Sequence, residues 1–177
     1  MSGAGWRVGQ GFDAHRFAVG STGPLRLALL EWPGEPALEG HSDGDVVAHA
    51  LVDALASAAA LGDIGELFGV DRPEHQGQSS ARFLAETIAK VRRAGFAVEN
   101  AAVQLIGNHP RLAGRRWEAA HGIGQILGAP VSLSATTTDR MGFTGRGEGL
   151  AALAVCLLRP AAPATPATPA VTSNVSA

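Results

Sequence analysis

The sequence predicts an α+β domain, a two-layer sandwich whose helices pack on one face of a mixed sheet. Segments with strand-like alternation and segments with helical periodicity follow one another without the regular βαβ order of parallel folds. The last of them, residues 149–158, is apolar at nearly every position, which indicates a strand buried on both faces. Helices cover only one face of this sheet, so we expect a second copy of the chain to cover the other.

Composition limits the class of protein. The chain has 177 residues, 46% of them hydrophobic, which suffices for one domain at residues 1–159. Residues 160–177 carry prolines at 160, 163, 166 and 169 and have little to bury, so we expect a disordered tail. No apolar stretch reaches the ~20 residues of a membrane span, and residues 1–11 lack a signal-peptide pattern. We therefore expect a cytoplasmic protein, and a net charge of −2 does not indicate nucleic-acid binding.

The first predicted elements are two strands. Residues 6–17 form a strand that places Gly9, Gly11, Asp13 and His15 on the same face. A turn at residues 20–24 leads to a short strand at residues 25–30. The two prolines within residues 32–39 indicate a loop.

A helix is predicted for residues 45–60, with Asp43 as its N-cap. Its core stripe consists of Val47, Leu51, Ala54, Leu55 and Ala58. A second stripe stacks Asp45, His49 and Asp53 at intervals of one helical turn. The helix stops at Gly62, and residues 63–65 form a tight turn.

The second half continues with a helix at residues 79–94, capped by Ser79 or Ser80 and stopped by Gly95. A strand at residues 96–107 precedes a third helix that begins at Pro110 and ends near Gly128. Residues 130–137 form a strand rich in β-branched residues. A glycine-rich loop at residues 139–149 leads into the closing strand.

Three side chains indicate a metal site. Asp13 and His15 share a strand face and His49 lies on a helix that packs against it, so one carboxylate and two imidazoles converge, a ligand set that suits zinc. Asp45 and Asp53 are expected to orient the His49 ring as acceptors. The alternative is that His15 and His49 are only hydrogen-bonded histidines near the surface.

Other polar residues fit phosphate binding. His41 and Ser42 precede a helix N-terminus, where they either bind an anion or cap the helix. Thr136, Thr137, Thr138 and Asp139 end a strand and offer ligands for phosphate and a hard cation, although threonines are also good strand formers. Arg146 either clamps a phosphate or pairs with Glu148. The isolated His75, His109 and His121 are expected to be surface or packing residues.

In combination these motifs resemble the 2-C-methyl-D-erythritol 2,4-cyclodiphosphate synthase family of the non-mevalonate isoprenoid pathway. The matching blocks are GFDAH at residues 11–15, HSDGDxxxH at 41–49, LGDIG at 61–65, ATTTD at 135–139 and GFTGRGEG at 142–149. The resemblance covers residues 7–158, and the second and last blocks are long and specific. It implies that 4-diphosphocytidyl-2-C-methyl-D-erythritol 2-phosphate is converted to the cyclic diphosphate with release of CMP.

The resemblance also implies roles for individual residues. A zinc-like ion would bind Asp13, His15 and His49, and a Mg²⁺ or Mn²⁺ ion at the diphosphate would bind Asp139. His41 and Thr137 match residues that stabilise the transition state. The residues implied in substrate binding are Asp13, His15, His41, Ser42, Asp63, Ile64, Gly65, Thr136, Thr137, Thr138, Asp139, Phe143 and Arg146. Members are homotrimers with active sites between neighbouring subunits, and residues 107–113 would help to surround the cytidine.

The chain departs from the family pattern at a few positions. Many members have glutamate where this chain has Asp139, and residues 68–72, residues 107–111 and Ser134 also differ. Two other functions fit the same residues. One is a metal-dependent phosphohydrolase, in which the ion activates water. The other is an isoprenoid-diphosphate-binding trimer without turnover.

Overall fold

The computed structural model describes residues 5–20, 23–40, 42–69 and 79–161. Its strands are β1 Arg7–Arg16, β2 Pro24–Leu27, β3 Leu30–Pro36, β4 Phe96–Ile106, β5 Val131–Thr136 and β6 Gly149–Pro160. Its helices are α1 Val46–Ala58, α2 Ile64–Phe68, α3 Ser80–Arg93, α4 Arg116–Leu127 and the short α5 Gly142–Gly145. None of the helices in these ranges is long and apolar enough to cross a membrane.

A mixed sheet with the strand order β1-β6-β4-β5 lies at the centre of the fold. Strands β4 and β5 are parallel, whereas β6 runs antiparallel to both β1 and β4. Helix α1 packs on β1 and β6, α3 packs on β4, and α4 packs on β5. The predicted α+β class, with a mixed sheet and helices, is confirmed.

Two glycines of β1 allow α1 to approach the sheet closely. A Cβ atom on Gly9 would lie 2.0 Å from the Ala54 carbonyl oxygen, and one on Gly11 would lie 2.0 Å from that of Ala50. Glycine is therefore required on this strand face. The predicted stripe of α1 is buried as expected, since its five members are at most 2% exposed. This contact places the middle of α1 directly over β1.

The other face of the sheet is open in the single chain. Val8 is 69% exposed, Phe12 is 56% exposed and Val155 is 40% exposed. On β6 the alternate residues from Leu150 to Leu158 are fully buried, but Val155 between them is not. Burial of β6 on both faces, which its composition predicts, is thus incomplete without a covering partner.

Three local predictions were wrong. Residues 30–36, which fall partly in the predicted loop, form β3, which pairs with β2 in a two-stranded sheet. The helix expected from Pro110 begins at Arg116, after a short 3₁₀ turn at Leu112–Gly114. Asp63 does not begin an isolated turn but caps α2 by accepting a hydrogen bond from the Glu66 N–H. Ser79 is the N-cap residue of α3, as predicted, although its side chain makes no capping hydrogen bond.

Candidate metal centre

The metal-site residues predicted from the sequence lie together at one end of the sheet. Asp13 and His15 extend from the face of β1 that contacts α1, and His49 extends from α1. The Asp13 Oδ2 atom lies 3.0 Å from His15 Nε2 and 3.0 Å from His49 Nδ1. The two imidazole nitrogens are 3.3 Å apart. These three atoms form a nearly equilateral triangle of potential ligands.

The triangle has a suitable size for a transition-metal ion. Ligand atoms at about 2.1 Å from a tetrahedral zinc ion are about 3.4 Å from one another. The measured edges of 3.0–3.3 Å are close to this value. The group is partly shielded, since the side chain of His49 is 10% exposed and that of Asp13 is 23% exposed. The donor set and its spacing therefore fit a divalent cation.

Hydrogen bonds orient both imidazole rings. His15 Nδ1 donates to the Glu39 carbonyl at 2.5 Å, which leaves the Nε2 lone pair free to face the site. His49 Nε2 lies 3.0 Å from the Ser42 hydroxyl, so its Nδ1 atom faces the site instead. Metal-binding histidines are commonly held in this way through the second ring nitrogen. Ser42 therefore has a positioning role that the sequence did not reveal.

The hydrogen bonds of this group also affect the charge of Asp13 and His15. Burial alone raises the pKa of Asp13, but hydrogen bonds from His15 and His49 outweigh burial and bring the pKa well below its usual range. The hydrogen bond to Asp13 raises the pKa of His15, although burial opposes this shift. The ionised carboxylate of Asp13 is the form that binds a metal.

The expected role of Asp45 and Asp53 in orienting His49 was wrong. Asp45 is fully buried and its carboxylate is the N-cap of α1, accepting hydrogen bonds from the Val47 and Ala48 N–H groups. Burial raises the pKa of Asp45, while its backbone hydrogen bonds oppose this shift. Asp53 accepts a hydrogen bond from the Ile64 N–H at 2.8 Å, and burial raises its pKa.

Asp43, predicted as the N-cap of α1, instead joins α1 to α3. Its carboxylate accepts a hydrogen bond of 2.8 Å from the Ser80 N–H and another from the Ser80 hydroxyl. Ser80 is fully buried. The residues that lead into α1, including Ser42, are thereby attached to the first turn of α3. The predicted catalytic His41 immediately precedes Ser42 but lies outside the described residues.

The predicted phosphate-binding residues follow β5. The Thr137 hydroxyl donates to Asp139 Oδ1 at 3.3 Å, and the Thr138 hydroxyl donates to the Met141 carbonyl at 2.6 Å. Asp139 and Arg140 both have left-handed backbone conformations, with φ angles of 49° and 69°. Backbone conformations of this kind are costly for residues with side chains and persist only where the surrounding contacts hold them. Gly145 permits this loop, because a Cβ there would lie 2.4 Å from the Arg140 carbonyl carbon.

In the glycine-rich loop, Arg146 contacts Glu148. Its Nε atom lies 2.6 Å from Glu148 Oε1, so the side chain pairs with Glu148 as one of the two sequence interpretations proposed. Phe143 is 39% exposed on the adjoining turn. Asn108 donates to the Gly145 carbonyl at 3.0 Å and ties residues 107–111 to this loop, a contact the sequence did not reveal.

The candidate metal centre and the Thr136–Asp139 group lie at the same end of the sheet but on opposite edges. Strand pairing places His15 beside Leu150, and Ile106 beside both Ala151 and Thr136. Three strand spacings therefore separate the metal-site strand β1 from β5, a distance of about 14 Å. Within one chain, the Thr136–Asp139 group is not adjacent to the metal centre.

The fold and the ligand set define a class, an α+β domain that presents a candidate divalent-metal centre at one end of a mixed sheet. The chain belongs to the YgbB family, whose model matches residues 6–159. It is 55% identical over 155 residues to the 2-C-methyl-D-erythritol 2,4-cyclodiphosphate synthase of Acidothermus cellulolyticus, covering 88% of this chain and 95% of that protein. The predicted family is therefore confirmed.

Solved structures show the same relationship. The bifunctional IspDF of Campylobacter jejuni matches with a TM-score of 0.83 and 36% identity, over 88% of this chain and 42% of that one. The CDP complex of IspF from Plasmodium falciparum matches with a TM-score of 0.78 and 26% identity, over 91% of this chain and all of that one. The match thus spans all of the IspF structure and less than half of the bifunctional IspDF structure.

Proposed function

We propose that this protein converts 4-diphosphocytidyl-2-C-methyl-D-erythritol 2-phosphate to 2-C-methyl-D-erythritol 2,4-cyclodiphosphate and CMP. The observation that carries the proposal is the Asp13–His15–His49 triangle in a chain that is 55% identical to a synthase of that name. An oxygen of the substrate's 2-phosphate attacks the β-phosphorus, and the bond from that phosphorus to the oxygen of the CMP phosphate breaks. The electron pair leaves with CMP, so the reaction needs no protein nucleophile.

Alignment and charge neutralisation are the main contributions of the protein to such a reaction. Asp13, His15 and His49 would hold a zinc-like ion, and Asp139 would hold a Mg²⁺ or Mn²⁺ ion at the diphosphate. When bound, these ions supply charge neutralisation to the phosphate oxygens. His41 and the Thr137 hydroxyl would hydrogen-bond the phosphate oxygens as negative charge moves during the transfer.

The remaining site residues would position the substrate. Asp63, Ile64 and Gly65 start α2, close to Asp53 of α1, and would hold the methylerythritol part. Residues 107–113 and Thr136–Asp139 would surround the cytidine, with Phe143 and Arg146 in the loop that follows. Ser42 would contact a phosphate from the start of α1.

A homotrimer with shared active sites fits the position of these groups. The metal centre and the Thr136–Asp139 group lie on opposite edges of one sheet, about 14 Å apart. In a ring of three chains, the β5 edge of one subunit can face the β1 edge of the next and complete a site between them. The open sheet face with Val8, Phe12 and Val155 would then form the centre of the assembly. We place the enzyme in the cytoplasm, where its phosphorylated substrate would be found.

Product identification by ³¹P NMR tests the activity. Incubation with the cytidyl substrate, Zn²⁺ and Mg²⁺ is expected to give CMP and a cyclic diphosphate in equal amounts. Release of inorganic phosphate would identify a phosphohydrolase, and binding without any product would identify a non-catalytic protein. Either result contradicts the proposal.

A further inference from the structure

A cleft lies on the outer side of α4, remote from the metal centre. Its volume is about 440 Å³. It lies between α4 and the start of β5, at the opposite end of β5 from Thr136. Its main lining residues are Trp117, His121, Gln125, Gly128, Pro130 and Val131.

The cleft has a flat aromatic wall. The rings of Trp117 and His121 stack, with centroids 5.0 Å apart and an angle of 8° between their planes. Trp117 is 77% exposed, an unusual position for so large an apolar side chain. The Gln125 amide lies 3.5 Å from His121 Nε2, so polar groups adjoin the aromatic surface. Aromatic-lined grooves with neighbouring hydrogen-bond donors are the kind of surface that binds proline-rich segments.

The chain itself contains such a segment. Beyond β6, which ends at Pro160, prolines stand at 163, 166 and 169, every third residue. A polyproline II helix has three residues per turn, so this spacing would place these three prolines along one edge. Its backbone makes no internal hydrogen bonds and leaves its carbonyl oxygens free to accept them. Residues 162–177 include no Asp, Glu, Lys or Arg, and neither do the residues that line the cleft.

The described part of the chain ends beside the C-terminal end of α3, the helix that packs against α4. The Ala161 N–H donates to the Gly95 carbonyl at 2.8 Å, directly after α3. Arg92, in the last turn of α3, reaches to Gly128 at the rim of the cleft, where its Nη2 atom lies 3.5 Å from the position of a Cβ. A polyproline II segment rises about 3.1 Å per residue, so five or six residues cover more than 15 Å. Residues 162–177 are long enough to reach the cleft and cross it.

We propose that the proline-rich segment of this chain docks as a polyproline II helix in the Trp117–His121 cleft. The proline edge would lie on the stacked rings, and the Trp117 indole N–H and the Gln125 amide would donate to carbonyls of the segment. Binding within one molecule removes the need for high affinity, because the linked segment is present at an effective concentration of about 1 mM. The exposed ring of Trp117 would in this way be covered by the proline-rich segment of the same chain.

Fluorescence quenching of Trp117 by acrylamide tests this proposal. Trp6→Phe removes the other exposed tryptophan, and Trp32, only 8% exposed, contributes little. At an effective concentration of about 1 mM, a site with a Kd of about 0.1 mM is about nine-tenths occupied. Deletion of residues 162–177 is therefore expected to raise the quenching constant about two-fold or more. A synthetic peptide of residues 160–177 should restore the protection.

The matched control keeps the composition and changes the spacing. A full-length variant in which the prolines of the segment are placed side by side should lose the protection of Trp117. Equal protection by the native and rearranged segments would overturn the proposal, and so would a quenching constant that deletion leaves unchanged. Because turnover does not enter this measurement, its failure leaves the proposed activity untouched.

Discussion

At the scale of single residues, the metal centre depends on which ring nitrogen each histidine turns inward. The Glu39 carbonyl and the Ser42 hydroxyl bind the outer nitrogens of His15 and His49. The inner nitrogens and the Asp13 carboxylate then lie within 3.3 Å of one another. The ligands are therefore placed before an ion binds, which reduces the entropic cost of binding.

Replacing His49 tests the ligand set. His49→Ala should lose most of the bound zinc, because only two ligands remain, and turnover should fall about 10²-fold or more. Elemental analysis of the purified variant measures the zinc. His121→Ala serves as the matched control and should keep its zinc, since His121 lies on α4. Full zinc occupancy in His49→Ala would rule out the site.

Without metal, the Asp13–His15 pair should stabilise the fold within a defined pH window. The pKa of Asp13 is below its ordinary 3.8, so its contribution is present above that pH and is lost as the pH falls through the folded value. The pKa of His15 is above its ordinary 6.5, so its contribution is complete below pH 6.5 and is lost as the pH rises through the folded value. Urea unfolding in a chelator should show the largest difference between wild type and His15→Ala near pH 5.

With zinc bound, the contribution of His15 to stability should instead increase as the pH rises above 6.5, because metal binding requires a neutral imidazole. The stabilisation that zinc adds is expected to grow from pH 5 to pH 8. A pH-independent difference between wild type and His15→Ala in the chelator would contradict this account of the pair.

Asp139 occupies a backbone position that suits its residue type. A φ of 49° is left-handed, and aspartate and asparagine adopt this conformation more readily than other residues with side chains. Asp139→Asn therefore removes the charge while keeping the loop conformation. We expect a shift to higher Mg²⁺ requirement and a loss in turnover of about 10²-fold, equivalent to about 3 kcal/mol.

The zinc content of Asp139→Asn should stay normal, since the first site is separate. Titration of activity with Mg²⁺ at saturating Zn²⁺ makes the measurement. Turnover within a few-fold of wild type at an unchanged Mg²⁺ requirement would show that Asp139 only shapes the loop.

At the scale of secondary structure elements, Asp45 joins α1 to the β2–β3 hairpin. Besides capping α1, its carboxylate accepts hydrogen bonds from the Ala28 and Leu29 N–H groups at 2.8 and 2.7 Å. These two residues form the turn of the hairpin, with positive φ angles of 54° and 65°. One buried carboxylate therefore holds a turn and a helix terminus together.

Asp45→Ala should lower the free energy of unfolding by about 3 kcal/mol or more, because it leaves buried N–H groups without acceptors. Urea denaturation measures this loss. Asp63→Ala, which removes the cap of the partly exposed α2, is the matched control and should cost about 1 kcal/mol. Similar losses in both variants would mean that Asp45 acts only as a helix cap.

At the scale of the whole molecule, assembly is expected to follow from the open sheet face. Light scattering at micromolar concentration should give three times the chain mass of 18.1 kDa. Val155→Arg places a charge in the middle of that face and should produce monomers, since burying an unpaired charge is costly. Val19→Arg, at a site 98% exposed outside the sheet, should remain trimeric. A wild-type monomer would contradict the proposed assembly.

The sequence by itself determined the candidate metal-binding group, the central helix and the family. Asp13 and His15 stand two residues apart on a strand, so they share a face in any fold that keeps that strand. The apolar stripe of α1 likewise depends only on helical periodicity. The family blocks at residues 41–49 and 142–149 are long enough to be specific. Each of these patterns lies within a short stretch of the chain, whereas His49, 34 positions from His15, was assigned to the group because α1 was expected to face β1.

Only the tertiary structure decided how these parts are joined. The sequence predicted Asp43 as the cap of α1, but Asp45 is the cap, because Asp43 meets Ser80 while Asp45 meets Ala28 and Leu29. Strand order alone places the Thr136–Asp139 group on the edge opposite His15. Such contacts join residues 16 to 37 positions apart, and a local pattern carries no information about which distant group the folded chain will bring to it.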